Sequence, residues 1–385
     1  MKLTIQSSEL ASMVSVCSMA ISARPMRPIN ECVYLAARQG DGIPMLTCIC
    51  KDSGLCIQKV TDKTTVIEDG DALIPAKTLL NFVKLMEDEV TLTVDDKLQA
   101  TLKCKGKKVN ISCMDGAEFE PGLTQIVNAT EVHMNGADYG KLVDSVACCV
   151  SEDTGRMVLT GINFAFDGGK PTNGAEAVGM DGPRMACARG GVETNDVFSA
   201  IIPSASAKLI EKVIKDAEDV SFRFGKGVMI AEAYDTAVEV SLLSGQYVDY
   251  KAIISKLQPT MRVKLSTENL LNAVRMAMIS ASEGKKGLVT FTFKGEEILE
   301  VSAMADKSAA VTDVPCMVEG QLAGAGGGSQ NKINFNGKYL EEALSVIKGY
   351  GGETVLHCEA GTKPMVLTPA DRDDYYQLVL PVRQM

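Results

Sequence analysis

The chain has 385 residues, a formal net charge of −10, two histidines, twelve cysteines and no tryptophan. Such an acidic balance repels nucleic acid and anionic membrane over most of a surface, so any hold on DNA must be local or topological. No charged-then-apolar leader follows Met1 and no apolar run is long enough to span a bilayer, which predicts a soluble cytoplasmic protein.

Taken in order, Lys2-Leu3-Thr4-Ile5 reads as extended and leads into a helix from about Ser8 to Ile21. The same pattern returns twice at a step of 129 residues. Met13 corresponds to Leu142 and Leu271, Ala20 to Cys149 and Met278, Ile21 to Val150 and Ile279, and Ser22 to Ser151 and Ser280. A step this regular marks a tandem triplication, with copies spanning 1–126, 127–257 and 258–385.

A second helix in each copy starts from an extended apolar residue and a Pro or Asn: Ile74-Pro75, Ile202-Pro203 and Phe335-Asn336. Four, seven, ten and eleven residues later the chain is apolar every time: Leu79, Phe82, Leu85 and Met86; Ala207, Ile210, Val213 and Ile214; Leu340, Ala343, Val346 and Ile347. That spacing predicts a stripe facing a core. The opposite face carries Lys77, Lys84, Lys208, Lys212, Lys215, Lys338 and Lys348 against only Glu87 and Glu341. One such face is an ordinary solvated surface. Three of one sign in an acidic chain suggest a surface repeated around a polyanion.

Between the helices, alternating or short apolar runs at Thr91–Val94, Leu98–Leu102, Val109–Ile111, Val220–Phe224, Ala237–Val240, Val289–Phe293 and Ile298–Val301 predict strands. Asp41-Gly42, Asp69-Gly70, Gly225-Lys226-Gly227 and Lys294-Gly295 separate them as hairpin turns. Each copy is therefore α+β, two helices laid on antiparallel sheet.

Catalytic parts are scarce. The cysteines lack any CxxC pair and His133 and His357 stand far apart, so small buried thiols in a reducing compartment are expected rather than zinc. Gly324-Ala325-Gly326-Gly327-Gly328-Ser329 lacks the Lys-Ser/Thr of a phosphate loop and reads as a flexible hairpin tip. Asp181-Gly182-Pro183-Arg184 reads first as a turn, and no cofactor is implied.

An ordered set of residues then carries a resemblance along the whole chain: Met1-Lys2-Leu3-Thr4-Ile5, Arg24-Pro25 with Pro28-Ile29, Ile74-Pro75-Ala76-Lys77, Asp181-Gly182-Pro183-Arg184-Met185-Ala186, Asp249-Tyr250, Phe335-Asn336 with Tyr339-Leu340, and Leu378-Val379-Leu380-Pro381-Val382-Arg383. Together they resemble the bacterial DNA polymerase III beta subunit, the sliding clamp. The resemblance implies the DNA clamp fold, three similar domains per chain, and a head-to-tail homodimer closing a six-domain ring with helices lining the hole. It implies a non-catalytic processivity factor for DNA replication that encircles duplex DNA without reading its sequence. Its partners would be the replicative DNA polymerase, the clamp loader and other proteins carrying a clamp-binding motif.

By the same resemblance Arg24 joins Lys77, Lys84, Lys208, Lys212 and Lys338 as DNA contacts, with Lys141 and Arg275 in reserve. Val109 and Ile111 would meet Met278 and Ile279 across the subunit boundary. A groove for partner peptides would take Arg156, Met180, Pro183, Arg184, Met185, Val248, Ile253, Thr362, Pro364, Leu378, Leu380, Pro381 and Val382. Pro183 and Val248 depart from the family's usual residues, and the loop Glu152-Asp153-Thr154-Gly155 is acidic where relatives offer a neutral or basic contact. The competing reading is an enzyme with a site around Asp181, Arg184 and a tyrosine such as Tyr234 or Tyr247, which would require a pocket with a perturbed acid.

Overall fold

The computed structural model describes residues 1–40, 42–116, 119–168, 174–192, 194, 196–282, 287–305, 308–322 and 331–382. Asp41, the glycine-rich stretch 324–329 and Arg383 lie outside the described residues. The first repeat runs β1 (Lys2–Gln6), α1 (Ser7–Cys17), β2 (Cys32–Gly40), β3 (Ile43–Asp52), β4 (Leu55–Thr61), β5 (Thr64–Glu68), β6 (Gly70–Pro75), α2 (Ala76–Val83), β7 (Glu89–Val94), β8 (Gln99–Cys104) and β9 (Lys107–Ser112). The second has β10 (Thr130–Met134), α3 (Gly136–Ala147), β11 (Gly161–Asp167), β12 (Ala175–Met180), β13 (Arg184–Gly190), β14 (Val197–Pro203), α4 (Ser204–Ile214), β15 (Val220–Phe224), β16 (Val228–Ala233), β17 (Thr236–Ser241) and a short α5 (Tyr250–Ile254). The third repeats the order with β18 (Met261–Ser266), α6 (Thr267–Ser282), β19 (Leu288–Lys294), β20 (Ile298–Met304), β21 (Ala309–Gly320), β22 (Lys332–Asn336), α7 (Gly337–Lys348), β23 (Glu353–Cys358), β24 (Met365–Pro369) and β25 (Tyr375–Val379).

The chain forms two compact units, 1–139 with 205–242, and 140–204 with 243–385. The first holds a five-stranded sheet, β5-β1-β7-β8-β9, and an eight-stranded sheet, β10-β15-β16-β17-β4-β3-β2-β6. The second holds one twelve-stranded sheet, β14-β11-β12-β13-β25-β24-β23-β18-β21-β20-β19-β22. Pairing is antiparallel throughout, as the alternating runs predict.

Two of these neighbours join successive repeats. Within the first unit β4 of repeat one pairs β17 of repeat two, with Leu55 opposite Val240. Within the second unit β13 of repeat two pairs β25 of repeat three, with Arg184 opposite Val379. A sheet crossing a repeat boundary buries both strand edges that a separate domain would expose.

The helices lie with one face in the cores. In α4 the buried residues are Ala207, Ile210 and Ile214, and in α7 they are Gly337, Leu340, Ala343, Leu344 and Ile347. Asn336 caps α7, its side-chain oxygen accepting the Lys338 N–H at 3.0 Å. The expected stripe fails on α2, which buries Ala76, Leu79 and Val83 and leaves Phe82 37 % and Leu85 71 % exposed. After Val83 the Leu85 and Met86 N–H groups bond carbonyls only three residues back, at 3.0 Å each, and the turn ends at Asp88 with φ 62. This tightening swings Leu85 away from the core. Likewise α1 ends at Cys17 and continues as a 3-10 turn over Ser18–Ala20, short of the expected Ile21.

Leu79 and Leu85 should therefore respond oppositely to truncation. Leu79→Ala is expected to cost about 2–5 kcal/mol in urea unfolding, whereas Leu85→Ala should stay within about 0.5 kcal/mol in the isolated chain. Equal losses would place Leu85 in the core after all.

Candidate functional site

In the second unit an apolar cluster gathers residues from several elements. Leu159, Val178, Met180, Met185, Cys187, Tyr250 and Leu378 are its buried members, and Val158, Tyr247, Ile253, Ile254, Leu257, Val366 and Tyr376 pack against it half-buried. Strand pairing sets it up: Met180 lies opposite Met185 across β12 and β13, Met185 opposite Leu378 across β13 and β25, and Leu378 opposite Val366 on β24. Asp249 caps α5 by accepting the Ala252 N–H at 3.0 Å, which fixes Tyr250 and Ile253 over the sheet. Two cavities border Ile254 and Tyr376. One of about 830 Å³ is walled by Phe166, Phe198, Glu176 and Arg189, and one of about 290 Å³ by Leu257, His357 and Val366.

Of the thirteen residues assigned to a groove, the cluster thus joins Met180, Met185, Ile253 and Leu378. Pro183 and Leu380 are exposed and linked, the Leu380 N–H donating to the Pro183 carbonyl at 2.9 Å. Pro381 and Val382 follow half-buried, with the Val382 N–H donating to the Asn334 carbonyl at 2.7 Å. Val248 is exposed and its carbonyl accepts the Tyr250 N–H at 2.8 Å. Arg156 and Thr362 are exposed and Pro364 is half-buried just ahead of β24, and none of the three is a member of the cluster among the described residues. Leu159, Tyr247 and Tyr250 were not among the residues assigned to the groove, although the Tyr247-Val248-Asp249-Tyr250 spacing puts two aromatics at the mouth of a helix. Asp153 serves locally, capping a 3-10 segment over Thr154–Thr160 by accepting the Gly155 N–H at 2.9 Å.

Arg184 is buried and fully engaged. Its Nε donates to Asp181 at 2.8 Å, a second guanidinium nitrogen binds Glu342, and its plane lies 4.3 Å from the Tyr339 ring centroid. Burial pushes the Asp181 carboxyl up even against the neighbouring guanidinium. The enzyme reading loses its parts here. Arg184 is held by two carboxylates, the Tyr247 hydroxyl is spent on the Val178 carbonyl at 3.3 Å, and Tyr234 is exposed in the other unit. Among the described residues no cluster of His, Cys, Asp and Glu is arranged to hold a metal ion.

Glu176 is a second buried acid. It accepts from the Tyr250 hydroxyl, from Arg189 Nε at 3.0 Å, and pairs Lys251 at 3.4 Å. Burial alone would raise its pKa, but these bonds outweigh it and hold the carboxyl below its ordinary 4.5. Its stabilisation is therefore full above the unfolded value and lost as pH falls through the lower folded one. Glu176→Gln should cost about 1–3 kcal/mol near neutral pH, and the gap from wild type should narrow as pH falls below the ordinary carboxylate range in urea titrations. A gap independent of pH would mean that Glu176 acts by packing alone.

The basic residues sit as the helical faces predict. Lys77 on α2, Lys84 just past it, and Lys208 and Lys212 on α4 are exposed in the first unit, as is Arg24, and none carries an ion pair among the described residues. In the second unit Lys338 is exposed, 3.8 Å from Glu342. The reserves are more committed: Lys141 stacks 4.4 Å from the Tyr350 ring centroid and pairs Asp374, and Arg275 pairs Glu341 at 2.8 Å.

The four residues assigned to a subunit boundary divide. Ile279 is 71 % exposed. Met278 is half-buried beside Gly337, where an added Cβ would lie 2.7 Å from the Met278 Cγ. Ile111 is buried in its own unit at 5 % exposure and Val109 is half-buried. Among the described residues β9 pairs only β8, and Ala309–Pro315 of β21 pair only β20.

Three successive domain models, for the N-terminal, central and C-terminal domains of the DNA polymerase III beta subunit, match residues 1–124, 133–249 and 257–383. The chain belongs to the DNA polymerase III beta subunit family, and its fold is three tandem clamp domains. It is similar to the beta sliding clamp of Bacillus subtilis (strain 168), 23% identical over 394 residues with both chains covered in full. The beta sliding clamp of Staphylococcus aureus is 24% identical over 397 residues, covering 100% of this chain and 99% of the relative. The crystal structure of the Bacillus subtilis DNA polymerase sliding clamp superposes with a TM-score of 0.90 at 22% identity, covering both chains in full. That of the DNA polymerase III beta chain of Streptococcus pneumoniae TIGR4 gives 0.89 at 20%, again covering both in full.

Proposed function

We propose that the chain is a DNA sliding clamp: two copies close head to tail into a ring that encircles duplex DNA and tethers the replicative polymerase and other replication proteins. The observation that carries this is the repeated junction. The fourth strand of repeat one pairs the last strand of repeat two, and the fourth strand of repeat two pairs the last strand of repeat three. Continued once more, the rule gives β21 of repeat three a partner in β9 of repeat one, and among the described residues both have an edge free for it, β9 beyond β8 and β21 along Ala309–Pro315. A second copy supplies each, which closes a two-fold ring. The copies span 1–126, 127–257 and 258–385.

The register follows from the internal junctions. Leu55 and Arg184 each close a two-residue turn, with Asp52 and Asp181, and Ser308 stands in the matching place, its carbonyl accepting the Ala305 N–H at 2.9 Å. Val240 stands four residues after Thr236, which closes the β16–β17 turn with Ala233, as Ile111 does after Lys107, which closes the β8–β9 turn with Cys104. Ser308 should then face Ile111, Ala310 should face Val109, and Thr312 should face Lys107. In a V109C/A310C variant an intersubunit disulfide should form under mild oxidation, seen as covalent dimer on a denaturing gel. Equal crosslinking in V109C/V311C would refute this register.

Phe82 and Leu85, displaced from the α2 core, lie in the same repeat as Val109 and are the natural cover for Met278 and Ile279. Arg24, Lys77, Lys84, Lys208, Lys212 and Lys338 contact the phosphates. Such contacts carry no base information and weaken with salt, so retention rests on topology. The cluster around Met180, Met185, Ile253 and Leu378, with Pro183, Leu380, Pro381 and Val382 at its rim, takes a short peptide with apolar and aromatic ends from each partner. The protein acts without catalysis, and the cytoplasm, where the DNA and the loader are, is its place.

The deciding experiment loads the protein with a clamp loader and ATP onto nicked circular DNA and then linearises it. Retention on circles at high salt and loss on linear DNA are expected. Comparable loss from both would remove the ring. Charge reversal at Lys77, Lys84, Lys208 and Lys212 should hinder loading or speed sliding loss while leaving the melting temperature nearly unchanged. If melting dropped sharply and retention held, these lysines would be structural.

A further inference from the structure

Burial pushes most of the cysteine thiols up, Cys32 to about 11 and Cys56 and Cys358 to about 12, which makes them poor nucleophiles. One pair differs. Cys148 and Cys149 follow α3 directly, their sulfurs 3.8 Å apart. Cys149 is fully buried, whereas Cys148 is partly exposed. The turn that holds them is defined by the Cys149 N–H bonding the Val146 carbonyl at 3.0 Å and the Val150 N–H bonding the Ala147 carbonyl at 3.4 Å.

We propose that Cys148 and Cys149 form a two-thiol modification site for hydrogen peroxide, with Cys148 the thiol oxidised first and Cys149 the one that resolves it. A peroxide reaching the partly exposed sulfur finds the resolving thiol already in van der Waals contact. The Cys148 thiolate attacks one peroxide oxygen, the O–O bond breaks, and the departing hydroxide takes up the thiol's proton as water, leaving a sulfenic acid. Cys149 sulfur then attacks Cys148 sulfur and the S–O bond breaks. The leaving hydroxide combines with the Cys149 proton, so a second water forms with the disulfide. Two electrons pass from the two thiols to the peroxide.

The surroundings favour Cys148 as the first nucleophile. The hydrogen bond with Cys149 and then the positive Arg184 guanidinium hold its thiol below the ordinary range despite burial, while burial and the same bond push Cys149 up. Adjacent residues have Cα atoms only about 3.8 Å apart, closer than the roughly 4.4–6.8 Å of relaxed disulfides, so the bond formed is strained and readily reduced. The modification is thus reversible. It also strains its neighbours, because α3 ends hard against β12: an added Cβ at Gly179 would lie 2.4 Å from the Val146 carbonyl oxygen. Oxidation must displace that turn or the strand beneath it.

Trypsin isolates the pair in one peptide, Leu142–Arg156, which holds no other cysteine. The reduced full-length protein is treated with hydrogen peroxide, its remaining thiols are alkylated with iodoacetamide, and the peptides are weighed. The expected product is this peptide lighter by two hydrogens, unalkylated, and restored by dithiothreitol. It should form about fivefold or more faster than oxidation of the peptide carrying Cys316, a thiol raised by burial. C149S should leave a sulfenic acid at Cys148 that dimedone traps, and C148S should leave the peptide unoxidised. The proposal is overturned if wild-type Leu142–Arg156 stays doubly alkylated while other cysteine peptides oxidise, or if C148S oxidises as fast as wild type. The wild-type peptide map decides even if a serine variant fails to fold.

Discussion

Replacing Met278 and Ile279 together by glutamate should turn the proposed dimer into monomer, read by light scattering at low micromolar concentration. Each apolar side chain loses about 1.5–3 kcal/mol of burial, and the two-fold axis makes the loss count twice, so dissociation should strengthen by roughly 10⁴-fold or more. Met278 also packs beside Gly337 in its own repeat, so the double change carries some cost to folding. Ile279→Glu alone separates the two effects, because Ile279 is mostly exposed in the chain. It should keep the melting behaviour of the monomer and still weaken the dimer strongly. A dimer that persists unchanged in both variants would sink the closure scheme.

Removing Leu380 to Met385 should abolish binding of a polymerase-derived peptide in fluorescence anisotropy while leaving the dimer intact. The segment departs from the sheet after β25, tied by the Leu380 N–H on Pro183 and the Val382 N–H on Asn334. If Leu380 and Val382 anchor the peptide as proposed, each contributes about 1–3 kcal/mol, so the loss of both should weaken a micromolar peptide by about 30-fold or more. Leu378 must stay in the truncated chain. It is buried between β13 and β24, and its removal would unpair the sheet. Unaltered affinity in a folded truncation would move the site elsewhere.

The triplication and the strand class were open to reading because both rest on short-range pattern: a repeated step and apolar alternation. The starts of α2, α4 and α7 were equally plain, since Pro75, Pro203 and Asn336 fix the backbone before the first turn. The end of α2 was not. Lys84-Leu85-Met86 has ordinary helical composition, and the stop comes with a contact made far along the chain, the Ser7 N–H on the Asp88 carbonyl at 2.8 Å. The groove divides in the same way. Met180 and Met185 share a hairpin, but Met185 meets Leu378 only through the pairing of β13 with β25, which no local signal carries. Arg184 was nameable as a residue, yet its confinement between Asp181 and Glu342 depends on α7 packing nearby.

The junction rule has a mechanical corollary. Where β4 meets β17 and β13 meets β25, both strands belong to one polypeptide, so each side is tethered to the other at an effective concentration on the order of millimolar and re-forms almost at once when broken. In the proposed ring the seam between β21 and β9 of another copy would have no such tether, and its lifetime, unlike that of the two internal junctions, would depend on how much protein is present. A machine that must pass a double helix through the wall will find it cheapest to pry there, and a cell could set how long an empty ring survives simply by how many copies it makes.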